Sequence, residues 1–259
     1  RKNPAIANNS LFAYILILLQ RLPDETSKDS FLTSLDAVIE EYKEDILDGL
    51  GLLFVEKEGY RAFRYKYWKA MQALMLKNFA KKIYDWCDEN GYNLTGHYVE
   101  ETCMGAQMWC CGGIMPFYEY EHIPAIDCLG RNCQSEIPGK QIGSVCSQMG
   151  IKQILTETFA CCGWNVSFEE LLWIYEHQMV HGINYLCQHL EGYTLRGIRK
   201  RDYPATLFKQ QPWWNDYRVF NDKVSHIGML IAEGKIEHEI LVLHSADSAW
   251  ANFNIKSRN

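Results

Sequence analysis

The sequence has no run long enough to cross a bilayer, no glycine-rich phosphate loop, no paired-cysteine metal spacing and no excess of basic residues. Each absence closes off a class of function. The longest apolar run near the start, "LFAYILILL" at residues 11–19, is too short for a bilayer and reads as a buried helix or strand. It also lacks the small-residue cleavage pattern of a secretory signal, so no membrane partner and a cytoplasmic location are expected. Neither GxGxxG nor GxxxxGK[ST] occurs, which argues against nucleotide chemistry on a doubly wound sheet. With 26 Lys and Arg against 32 Asp and Glu the net charge is −6, so no nucleic-acid partner is expected. CxxC and HExxH are both missing, so no metal and no cofactor are expected.

The ten cysteines do not read as a disulfide framework. Cys110 and Cys111 are adjacent, as are Cys161 and Cys162, and Cys128, Cys146 and Cys187 sit inside apolar segments. They are expected to be free thiols in a reducing compartment, which makes the glycosylation sequons at Asn8, Asn93 and Asn165 chance matches. The first residue is Arg1 rather than Met, and the chain is expected to be a piece of a longer protein.

What is present is a chain of 259 residues, 47% hydrophobic, with 8 Trp and 15 Tyr. Length and apolar content suffice for one large domain or two small ones. An acidic, aromatic-rich chain suits carbohydrate, because sugar faces stack on rings and sugar hydroxyls bond to carboxylates; a large aromatic core explains the same composition.

From Asn93 onward the pattern alternates. Strands are expected in "NLTGHYV", "AIDCL", "KQILTETF", "INYLCQHL" and "EILVLHS", and helices in "ETCMGAQMWCC", "GKQIGSVCSQMG", residues 167–182 and residues 212–234. Ser167 with Glu170 three residues later makes a capping box, and Gly182 stands where that helix should stop. Short, nearly continuous apolar strands between helices predict parallel βαβ units. Of the two architectures of that kind, a (β/α)8 TIM-type barrel puts polar residues at the carboxyl ends of several strands, as found here. The first ninety residues are helix-rich, with an amphipathic segment capped at Thr33 or Ser34 and a long helix from Tyr60 to Gly91. Only "AYILILL" and "GLLFVEKEGY" offer strands there. The barrel is therefore expected to be partial, made of its later βα units. The expected organisation is 1–92, helix-rich; 93–235, βα units of the catalytic barrel; 236–259, the start of a following domain or a tail.

The candidate catalytic residues are the carboxylates at strand ends. In "NLTGHYVEE", strand alternation places Thr95, His97, Val99 and Glu101 on one face, taken as the inner one, which favours Glu101 with Glu100 as its neighbour. A glutamate favoured by a following helix dipole is the alternative. Glu157 lies inside "ILTETF", where a carboxylate is costly unless paired or used; a structural ion pair with Arg196 or Lys152 is the other reading. Paired carboxylates in a cleft are what glycosidic bond hydrolysis needs. Asp127, His97, His189, Gln188, Trp164 and Arg196 are candidate substrate-binding residues. Arg196 belongs to a basic knot with Arg199, Lys200 and Arg201 that would hold an anionic group or be a solvated loop.

Taken in order, "TGHYVEE", "YEHIPAIDCLGR", "ILTETFACCGW", "GINYLCQHLEGYTLRGIRKRDYP" and "QPWWNDYRVFNDKVSHIGMLIAEG" resemble blocks of the large bacterial glycoside hydrolases of the α-L-rhamnosidase-like kind. The resemblance runs from about Phe31 to Trp250. It implies a (β/α)8 catalytic barrel, paired carboxylates at strand ends, a carbohydrate substrate and a much longer complete enzyme with β-rich domains. On that reading "HEILVLHSADSAW" begins the domain after the barrel. The chain departs from the family at Pro124-Ala125, where relatives have Pro-Gly. A glycosidase using Glu101 (or Glu100) and Glu157 is thus the expected function, with a non-catalytic carbohydrate-binding or assembly module on a degenerate barrel as the alternative. The sugar, the stereochemistry and whether the chain is a homo-oligomer stay open.

Overall fold

In chain order the elements are α1 (Ile46–Gly49), α2 (Tyr60–Met75), α3 (Lys81–Glu89), β1 (Thr95–Gly96), α4 (Met104–Cys111), β2 (Ile123–Cys128), α5 (Ile137–Met149), β3 (Leu155–Thr158), α6 (Phe168–Met179), β4 (Tyr185–Gln188), α7 (Tyr217–Glu233) and α8 (Ala246–Asn252). The structure, a computed structural model, describes residues 46–131, 135–201 and 203–255. The candidate strand in "AYILILL" and the cap at Thr33 or Ser34 lie outside the described residues. Among those described, no helix is long and apolar enough to cross a membrane. The nine described cysteines are free thiols.

The chain divides into two compact units. One contains the described residues up to Phe79, Met104–Gly113 and the described residues from His244. Here α2 packs against α4 and α8. Leu50, Leu53 and Ala70 form its core with Phe54, Phe63 and Tyr67 against them. Arg64 is fully buried on α2. Its guanidinium donates to the carbonyls of Leu52 (2.9 Å) and Asn252 (3.3 Å) and lies over the Tyr60 ring, so the buried charge is not left unpaired.

The second unit, Ala80–Cys103 with Ile114–Leu243, holds the sheet. Its strand order is β1-β2-β3-β4, every neighbour pair parallel. The fold is thus a helix-rich α/β arrangement around a four-stranded parallel sheet, compatible with part of a barrel. In β3 burial alternates: Thr156 and Thr158 are fully buried, Leu155 and Glu157 partly. The threonines face α6, whose Gln178 accepts from Thr156 Oγ1 (2.5 Å) and donates to Thr158 Oγ1 (3.3 Å). On β4, Gln188 donates to Asn221 on α7 (2.9 Å), so that same face of the sheet is the helix-covered one. The other face carries Asp127, Glu157 and Cys187, aligned in register across three strands.

Local signals hold well around α6. Ser167 Oγ accepts from the Glu170 amide (3.2 Å), and the Glu170 carboxylate accepts from the Ser167 amide (2.9 Å). Elsewhere the expectations need correction. "GLLFVEKEGY" is not a strand: Leu50–Leu53 is a 3-10 turn and Gly59 turns left-handed into α2. The long helix expected from Tyr60 runs to Glu89, with a π-helical turn, Leu76–Ala80, between its α2 and α3 parts. "EILVLHS" forms no strand, and Ile240 to Leu243 are almost fully exposed. Among the described residues no strand lies alongside to bond its amides, so the run is no part of the sheet. The strand expected through "NLTGHYVEE" stops at Gly96, and residues 99–102 form a turn. The alternation invoked to put His97, Val99 and Glu101 on one face therefore does not apply. Val99 is exposed, whereas Glu101 is buried.

Candidate functional site

Parallel strands bring their carboxyl ends to one rim, and the side chains there come from loops of unrelated sequence position. Glu157 is central. Its partners are neither Arg196 nor Lys152, since Lys152 pairs with Glu233 (3.4 Å). They are two imidazoles, one per carboxylate oxygen: His97 Nε2 lies 3.1 Å from Oε2 and His189 Nε2 3.4 Å from Oε1. His97 comes from the chain just after β1, and His189 directly follows β4, where its amide donates to the Thr158 carbonyl (2.8 Å) and extends the ladder by one rung. The Glu157 side chain keeps 28% exposure, so the gripped carboxylate still faces solvent.

Asp127 is the register neighbour of Glu157 on β2. Burial raises its carboxyl above the ordinary range; the charge of Glu157 adds to this, while His97 and His189 oppose it. Asp127, Glu157, His97 and His189 thus form one electrostatic cluster assembled from four strand ends.

Glu101 joins it from behind. It is only 3% exposed. Its Oε2 accepts from the Asp127 amide (2.9 Å), and its Oε1 accepts from the Tyr98 amide (3.3 Å) and the Tyr118 hydroxyl (3.3 Å). Two residues earlier on β2, the Ala125 amide donates to Glu121 (3.3 Å). β1 is only two residues long, so carboxylates stand in for the missing rungs along this edge of β2. Burial outweighs those hydrogen bonds, pushing Glu101 up to about 7 and Glu121 up to about 8. Glu121 was not singled out from the sequence; a carboxylate four residues before "AID" carries no local sign of burial. Glu100 is exposed in a left-handed turn with φ 64°.

Beside His189 lies a cavity of about 530 Å³, lined also by Trp164, Glu191, Tyr193, Lys200 and Tyr203. The Trp164 loop follows β3 and is braced by Arg131, which donates to the Cys162 carbonyl (2.5 Å), Asn165 Oδ1 (2.5 Å) and Glu170 (3.0 Å). In that loop Phe159 and Cys161 take positive φ of 80° and 62°, costly for side-chain-bearing residues and held by their surroundings. The Cys161 amide donates to the Pro204 carbonyl and the Phe159 carbonyl accepts from Thr206 Oγ1. Arg131 was another residue the sequence did not flag. Of the remaining candidates, Gln188 is turned to α7 on the opposite face from Glu157. Arg196 is exposed, caps the 3-10 turn Gly197–Lys200 and does not line the cavity.

No protein-family model and no curated protein matches this sequence. Among solved structures, a rhamnosidase from Novosphingobium sp. PP1Y superposes with a TM-score of 0.58 over 68% of this chain, at 17% identity. The match covers 17% of that chain, so the sequence spans only a small fraction of that protein's length. At this identity the likeness is one of fold.

Proposed function

We propose that this chain carries the carboxylate centre of a glycoside hydrolase of the α-L-rhamnosidase-like kind, acting on a glycoside or oligosaccharide. The fold likeness to a rhamnosidase supports the class. The observation that carries the reading is Glu157 at a strand end, solvent-facing, with an imidazole on each oxygen and Asp127 beside it in register. A cavity of about 530 Å³ bordered by Trp164 and Tyr203 reaches His189, a partner of Glu157, and has the size of a small-ligand pocket.

In this reading Glu157 is the charged partner: it attacks the anomeric carbon or takes the proton of the attacking water. A second carboxyl gives its proton to the leaving oxygen. Two groups are placed for that role. Asp127 is nearer, with strands about 5 Å apart, which matches the spacing of retaining enzymes. Glu101, up to about 7, holds a proton where a general acid needs one, and reaches the centre from behind β2. His97 and His189 orient Glu157, and Trp164 stacks on a sugar face.

The test is a screen of aryl glycosides, including the α-L-rhamnoside, on the chain and its Glu157→Gln, Asp127→Asn and Glu101→Gln variants. Glu157→Gln is expected to cut turnover about a hundredfold or more. Equal turnover by this variant and the parent would remove Glu157 from the mechanism. The anomer first released, read by proton NMR, distinguishes the partners: retention points to Asp127 and inversion to the more distant Glu101. The burial of both Glu101 oxygens favours a second reading, a carbohydrate-binding module without turnover. It predicts sugar binding that survives Glu157→Gln and is lost in Trp164→Ala.

A further inference from the structure

A different group of side chains sits between α5 and α6, and it owes nothing to the glycosidase reading. Glu136 stands at the N-terminal cap of α5, His177 in the last turn of α6 and His181 four residues later. His181 lies two residues beyond the end of α6, so the turn that closes the helix, and not helical spacing, places its ring near His177. One ligand atom from each of the three residues lies within 4.8 Å of the others. His181 Nε2 is 2.6 Å from Glu136 Oε2, and His177 Nε2 is 3.7 Å from Glu136 Oε1. The side chain of His181 is only 4% exposed, yet neither of its ring nitrogens has a hydrogen bond of acceptable geometry. What the ring has is the charge of the Glu136 carboxylate against Nε2, while Nδ1 is buried without a hydrogen-bond partner.

The fold is shaped around that ring. A Cβ on Gly139 of α5 would stand 2.4 Å from His181 Cδ2, and one on Gly143 would stand 2.2 Å from the His181 carbonyl oxygen. At Gly139 the imidazole takes the space a side chain would need, and at Gly143 the His181 backbone does. His177 and His181 also line a cavity of about 330 Å³ through which a small ion can enter. Glu136, with its side chain 62% exposed, is free to swing.

We propose that Glu136, His177 and His181 bind a divalent transition-metal cation of the zinc class. Two imidazole nitrogens and one carboxylate oxygen are ligands of that class, and hard cations such as Mg²⁺ prefer oxygen alone. With bonds of about 2.1 Å, the ligand atoms of a tetrahedral site lie about 3.4 Å apart. The two Glu136 oxygens lie 2.6 and 3.7 Å from the imidazoles and the three ligand atoms are within 4.8 Å of one another, so binding requires small movements of Glu136 and the rings. Three protein ligands leave a fourth position for water. The ion would tie the start of α5 to the end of α6, the helices that follow β2 and β3.

The experiment titrates Co²⁺ and Zn²⁺ into the whole 259-residue chain and into Glu136→Gln and His177→Ala, residues exposed enough to be replaced without emptying the core. Circular dichroism checks that each metal-free variant is folded. Expected are one ion per chain, a cobalt visible spectrum without the near-ultraviolet thiolate band, a rise in melting temperature with Zn²⁺, and affinity about a hundredfold weaker in both variants. Absence of stoichiometric binding overturns the proposal. So does binding that both folded variants retain, or a cobalt spectrum with the thiolate band, which would assign the ion to the free cysteines.

Discussion

Replacing Glu101 by Gln is the sharpest probe of how the centre is held. Burial moves this carboxyl from 4.5 to about 7. At about 1.4 kcal/mol per tenfold change in proton affinity, the folded chain favours the protonated form by about 3 kcal/mol. The sign follows from the direction. Between pH 4.5 and 7 the folded chain keeps this proton and the unfolded chain has released it, so stability falls as pH rises through that window. The full contribution is present below about pH 4.5 and gone above about pH 7. Glutamine removes the charge: its carbonyl still accepts from the Asp127 amide and its NH2 can face the Tyr118 hydroxyl, while the bond from the Tyr98 amide is lost. Whatever that lost bond costs at every pH, Glu101→Gln should gain on the parent by about 2–3 kcal/mol between pH 5 and pH 8. Urea unfolding at pH 5, 6, 7 and 8, followed by tryptophan fluorescence, measures both chains. Glu121 titrates in each; in the variant it loses the Glu101 charge that helps to raise it, which makes the variant's slope shallower still. A parent and variant with the same pH slope would refute the claim that Glu101 is a buried proton-holding group under the edge of β2.

Other outcomes follow from the same packing. Gln178→Leu leaves the Thr156 and Thr158 hydroxyls without their α6 partner, and should lower the urea-derived stability by about 1–3 kcal/mol. Ser167→Ala removes one half of the capping box on α6 and should cost about 1 kcal/mol in the same assay, with faster amide exchange at Glu170.

Much of the second unit was legible because the signals there are local. A capping box spans three residues, a helix stop needs one glycine, and a four-residue apolar run between helices marks a buried parallel strand. The observed α6, the αL glycine after α5 and strands β2 to β4 all sit where such signals put them. The strand ending in Glu101 was misread because alternation presumes that the strand continues, and here pairing with β2 ends after two residues. The π turn after Met75 left no trace in an unbroken helical periodicity. "EILVLHS" has the composition of a strand, and among the described residues none pairs with it.

On its own, then, the sequence determined the alternation of parallel strands with helices and the chemical kinds of residue at the strand ends. Tertiary structure alone decided their company. His97 meets Glu157 across 60 residues, and Glu101 reaches the Asp127 amide across 26. Which carboxylate faces solvent and which is buried depends on groups brought close by folding, because hydration and Coulomb energy follow distance in space. Neighbours along the chain carry no record of that distance.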